Sequence, residues 1–86
     1  MYRLRTSSRA QKDLDALPPD AWARVCAAID GLRVEPRPRG CIKLRGGANT
    51  FRIRVGIYRI IYDVHDDDSL VFVLRVKHRR DAYRGF

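Results

Sequence analysis

Eighty-six residues, 45% hydrophobic and 33% charged, make one small domain spanning 1–86 with a thin core. Eighteen Lys and Arg face ten Asp and Glu, a formal net charge of +8, and fifteen of the eighteen are arginine. No apolar run exceeds five residues, which excludes a helical membrane span, and two cysteines cannot make a disulfide framework.

Residues 2–6 alternate Tyr2, Leu4 and Thr6 with Arg3 and Arg5, the period of a strand. No hydrophobic block follows Arg3, Arg5 and Arg9, so the start does not read as a secretory signal, and a cytoplasmic protein is expected. Ser7 or Ser8 can cap a helix whose apolar face is Ala10, Leu14 and Leu17. Pro18-Pro19 ends that helix and opens a second, because proline fits a first helical turn. In the second, Trp22, Val25, Cys26, Ile29 and Leu32 form a continuous stripe, predicting an antiparallel helical hairpin. Pro36, Pro38 and Gly40, interleaved with Arg37 and Arg39, make an extended basic connection. Strands are predicted over 42–45, 50–55, 57–65 and 70–77, and a short helix or tail over 79–86. The order β-α-α-β-β-β-β implies an α+β fold, the helical hairpin packed on one face of a mainly antiparallel sheet.

The charge is segregated. Between Arg33 and Arg59 lie eight basic residues and one acid, and between Arg75 and Arg84 five and one, while acids gather at Asp13, Asp15 and 63–68. Such a distribution predicts a surface facing a polyanion. Alternation puts Arg52 and Arg54 on one side of their strand, with Phe51, Ile53 and Val55 on the other. Arg59 interrupts an otherwise apolar stretch, and Arg75, Lys77 and Arg79 share one parity. If these strands pair, the arginines line one side of the sheet, where guanidinium forks suit phosphate oxygens. Tyr58 and Tyr62 read as packing residues, whereas Tyr83 follows His78, Arg79 and Arg80 in a second cluster. A histidine beside arginines resists protonation, which suits a proton acceptor near neutral pH. Cys26, Cys41, His65 and His78 lack metal-ligand spacing, Gly46-Gly47 lacks the context of a phosphate loop, and 66–68 lacks the ligand pattern of a calcium loop. No metal and no cofactor is expected.

The runs Ile42-Lys43-Leu44-Arg45-Gly46, Phe51-Arg52-Ile53-Arg54-Val55, Tyr58-Arg59-Ile60-Ile61-Tyr62 and Val76-Lys77-His78-Arg79-Arg80-Asp81-Ala82-Tyr83, in that order, resemble the RelE/ParE superfamily of toxins. The resemblance spans essentially the whole chain. It implies the toxin of a type II toxin–antitoxin pair, with a cognate antitoxin as partner and no role at a membrane. For RelE-like members it further implies a ribosome-dependent endoribonuclease. There the 2′-hydroxyl of messenger RNA attacks the adjacent phosphate in the ribosomal A site without a metal. Arg59 and Arg79 match the family's phosphate-contacting arginines, and Tyr83 resembles its base-stacking tyrosine. Arg52 and Arg54 stand where the best-studied members have lysine, and Lys43, Arg45, Lys77 and Arg80 extend the expected RNA surface. Because arginine cannot give up its proton, His78 is the preferred base and Tyr83 the second, with the general acid unassigned. The alternative is a ParE-like protein that poisons DNA gyrase by binding and cuts nothing.

Overall fold

The computed structural model describes residues 1–81. Seven elements follow the expected order: β1 (Arg3–Thr6), α1 (Ser8–Asp15), α2 (Pro19–Gly31), β2 (Ile42–Lys43), β3 (Thr50–Val55), β4 (Tyr58–His65) and β5 (Leu70–His78). They build one five-stranded sheet in the order β1-β5-β4-β3-β2. Strands β2 to β5 pair antiparallel, and β1 runs parallel to β5, so the fold is α+β as the element order implied.

Both helices cover one face. The core joins Ala10 and Leu14 of α1, Val25 and Ile29 of α2 and Leu32 just beyond it to alternate residues of the strands: Phe51, Ile53, Ile60, Tyr62, Val64, Val71, Val73 and Val76. The period-two pattern of the strands is what presents these side chains together. Ser7 joins β1 to α1. Its Oγ accepts the Ala10 N–H at 3.0 Å as an N-cap and donates to the Leu74 carbonyl at 2.8 Å.

The second helix is rotated from the predicted stripe. Trp22 is 49% exposed, and Ala21 takes the buried place at the start of a face that continues through Val25, Ile29 and Leu32. Strand β2 is also shorter than expected, ending at Lys43, although the Leu44 N–H still donates to the Thr50 carbonyl at 2.8 Å.

Two connections set the register of the sheet. Between β3 and β4 lie only Gly56 and Ile57, and Gly56 has φ +60°. That is the first central position of a tight hairpin loop, where glycine adopts the left-handed region without a Cβ penalty. The loop pins Val55 opposite Tyr58 and therefore Arg54 opposite Arg59. Between β4 and β5, a bulge leaves Leu74 without a partner: Tyr62 faces Val73, but Ile61 faces Arg75. Past the bulge every β5 side chain is on the face opposite to the one an unbroken ladder would give it.

Beyond Val73, no described strand lies on the outer side of β5, and α1 covers that edge. Asp13 accepts the Val76 N–H at 2.9 Å and holds Arg75 by two contacts, Nε at 2.9 Å and Nη2 at 3.2 Å. At the far end of the sheet Tyr62 is fully buried and its hydroxyl donates to the Pro36 carbonyl at 2.8 Å, tying the proline segment to the core. Burial pushes the Tyr62 phenol far above its ordinary range.

Candidate nucleic-acid interface

Among the described residues no helix covers the other face. Residues directly opposite in a ladder project to the same side, so the register reads out that face row by row. One row runs Arg54, Arg59, Lys77 across β3, β4 and β5. The next runs Ile42, Arg52, Ile61, Arg75 from β2 to β5. The hairpin loop sets the first half of each row and the bulge the second. With no bulge, Arg59 would stand opposite Val76, and Lys77 would share the helix side with Tyr58.

Arg59 is the centre of this arrangement. Its residue is only 7% exposed, and its Nε is buried without a hydrogen-bond partner. Half-buried Arg52 also has a buried, unpartnered Nε, while Arg54 is exposed. Among the described residues no carboxylate forms an ion pair with Arg52, Arg54 or Arg59. Like charges directly opposite in a sheet are destabilising, and a buried cation with an unsatisfied donor is more so. An anion lying across the row relieves both costs. Bidentate guanidinium contacts make a phosphate the fitting occupant.

Arg75 shares the face but is neutralised by Asp13, so the shared parity of Arg75, Lys77 and Arg79 overstated the free charge. Lys77, half-buried, has its ammonium pushed below the usual lysine range. Desolvation is the main cause and Arg75 the second, against opposing pulls from Asp81 and Asp13. Arg79 and Arg80 are exposed in the turn that ends β5, and the Arg79 N–H donates to the Ile57 carbonyl at 2.6 Å, which fixes that turn beside the β3–β4 loop.

Other predicted site residues stand apart. His78 is opposite Tyr58, in a pair that continues the helix-side face of Ile60 and Val76, and its ring meets Tyr58 edge-on at 5.8 Å between centroids. Its Nδ1 accepts the Arg80 N–H at 3.2 Å, so the neutral ring carries its proton on Nε2 and is a donor there. Lys43 is opposite Phe51, which puts it in a helix-side row, and Arg45 is exposed in the turn after β2. Tyr83 lies outside the described residues. Among the described residues no three of His, Cys, Asp and Glu gather as a metal site. Sequence reasoning passed over Asp13, whose pairing with Arg75 depends on α1 lying along the sheet edge.

A mixed five-stranded sheet with two helices on one face, and on the other guanidinium groups that no described carboxylate pairs, is an α+β fold of the toxin type. Residues 4–83 match the family described as the ParE toxin of type II toxin–antitoxin systems. Toxin RelG of Mycobacterium tuberculosis is 40% identical over 84 residues, covering 96% of this chain and 97% of the relative. Among solved structures, the archaeal RelE–RelB complex from Pyrococcus horikoshii OT3 aligns with a TM-score of 0.82 at 35% identity, covering 94% of this chain and 98% of that one. The toxin–antitoxin complex RelBE2 of Mycobacterium tuberculosis aligns at 0.79 and 39% identity, covering 91% and 98%. The chain belongs to the RelE/ParE superfamily of toxins.

Proposed function

We propose that this toxin is a ribosome-dependent endoribonuclease that cuts messenger RNA in the A site. The attacking group is the RNA's own 2′-hydroxyl, and the products are a 2′,3′-cyclic phosphate and a 5′-hydroxyl. The observation that carries the reading is Arg59, buried and unpartnered at Nε, in one row with Arg54 and Lys77 on the face opposite α1 and α2. In this reading Arg59 and Arg79 grip the scissile phosphate and stabilise the charge that builds on its oxygens in the transition state. Arg52 and Arg54 hold the flanking backbone, with Lys43, Arg45 and Arg80 adding diffuse attraction from its margins. Tyr83 stacks on a base. Loss of one such transition-state contact costs about 10²–10³-fold in rate.

Several solved relatives are complexes of the toxin with its antitoxin, RelB among them, which supports a cognate antitoxin as this chain's own partner. A gyrase-directed reading draws on the ParE description of the matched family, whereas the 40% identical relative is named RelG and the aligned structures RelE, which favours the RNA reading. Mapping transcript 5′ ends after induction tests it, wild type against Arg79→Ala, with a supercoiling assay alongside. New ends within codons, lost with Arg79→Ala while antitoxin binding persists, are expected. Intact transcripts with blocked supercoiling overturn the proposal.

A further inference from the structure

Cleavage through a 2′-hydroxyl needs a group that takes its proton, and the arginines of the open face cannot serve. Nor do the other described residues near it offer an easy substitute. Asp63 accepts the Thr50 hydroxyl at 2.6 Å and lies four residues along β4 from Arg59, roughly 13 Å at the rise of a strand. His78 sits in a helix-side row with its acceptor nitrogen engaged by the Arg80 N–H. Lys77 is the direct cross-strand neighbour of Arg59 on the same face, half-buried, with Arg54 completing the row. An attacking oxygen lies about 3–3.5 Å from phosphorus in a reactive geometry. The group that deprotonates it must therefore stand one side chain away from the one that holds the phosphate. Cross-strand neighbours, roughly 4.5–5.5 Å apart at Cβ, meet that requirement.

We propose that Lys77 is the general base of this site, taking the 2′-hydroxyl proton beside the phosphate gripped by Arg59. The inference rests on the RNA-cleavage reading and deepens it. In the step, the lone pair of the neutral amine bonds the 2′-hydroxyl proton, and the freed O–H electron pair forms the O2′–P bond. The P–O5′ bond breaks with its electrons leaving on O5′. That oxygen takes a proton from water, and the Lys77 ammonium returns its own proton to the resulting hydroxide. The surroundings favour the neutral amine. Partial burial and Arg75 lower its proton affinity, as does Arg9 from α1, while Asp81 in the following turn and Asp13 on α1 pull the other way. Arg59 and Arg54 complete the charged groups of its row.

The test is single-turnover cleavage of ribosome-bound mRNA across a pH series, by toxin freed from its antitoxin. Wild type should quicken with pH in proportion to the neutral amine. Lys77→Arg keeps the charge and the long stem, and should bind ribosomes normally, cut about 10²–10⁴-fold more slowly and lose that pH limb. Lys77→Gly, a second variant, should regain rate with added primary alkylamines, a response that a merely structural role would not give. A Lys77→Arg toxin that keeps the wild-type rate and pH profile overturns the proposal and leaves the nuclease reading standing. Loss of the limb in His78→Gln or Tyr83→Phe, with Lys77→Arg unaffected, overturns it equally. Wild-type toxin that binds antitoxin and ribosome yet cuts nothing sinks the nuclease reading itself.

Discussion

The two faces of the sheet are made by the same strands and obey opposite rules. On the helix side, Ile60 stands between Ile53 and Val76 beneath two helices, and every neighbour adds apolar contact. One residue later, Ile61 is as deeply buried, 1% exposed, but it stands between Arg52 and Arg75, on the face that carries neither α1 nor α2. Burial therefore has two meanings here. One face is buried to stabilise the fold, and the other carries buried charge that no carboxylate of the described residues pairs.

Truncations at adjacent positions should separate these faces most sharply. Ile60→Ala leaves a cavity in a closely packed core and should cost about 2–5 kcal/mol, read as a lower urea midpoint. Ile61→Ala should fall at the low end of that range, about 2 kcal/mol, because its ladder neighbours Arg52 and Arg75 are long side chains that can settle into the gap. Equal losses would mean that the open face is packed as rigidly as the core. Arg59→Met should move stability the other way. It keeps a long apolar stem and removes both the unsatisfied Nε and the repulsion from Arg54 and Lys77. A gain of about 1 kcal/mol is expected, some 4–8 °C in Tm for a domain of this size, together with loss of toxicity. A fall in Tm would show that Arg59 is compensated within the fold.

The smallest effect concerns the sheet end remote from the arginine row. There Asp66 receives both guanidinium nitrogens of Arg37 and the Tyr2 hydroxyl, with Arg37 also lying 5.2 Å from the centre of the Phe51 ring. The hydrogen bonds from Arg37, and then from Tyr2, hold the Asp66 carboxyl below its ordinary range. A carboxyl depressed by folding stabilises fully above its unfolded value, and that contribution fades as pH falls through the folded one. Asp66→Asn should therefore lower Tm slightly at neutral pH, and the difference should close in acid. The group is exposed, so the shift should be small and weakened by salt. A difference that widens in acid would contradict this account.

Local signals carried much of the fold. The Ser7 cap, the Pro18-Pro19 break and strict alternation in 50–55 each follow from one or two residues acting on their neighbours. Trp22 misled because period alone cannot choose between adjacent stripes on a short helix, and the buried stripe starts at Ala21 instead. The pairing of Arg54 with Arg59 was within reach, since a two-residue loop carrying glycine admits one register. A hint of the bulge also lay in the chain, where the buried valines step from 71 to 73 and then to 76.

What the sequence determined by itself was the set of elements, the apolar parity of each strand and the presence of more guanidinium groups than acids to pair them. Those properties depend on residues within a turn or two of each other. The tertiary structure decided which charges remain unpaired and which stand together. Asp13 neutralises Arg75 only because α1 lies along the edge of β5, and Lys77 reaches the row of Arg59 only because one extra residue at Leu74 turns the end of that strand over. Such outcomes depend on long-range pairing. A shift of a single residue there exchanges the two faces and leaves the local pattern of the chain unchanged.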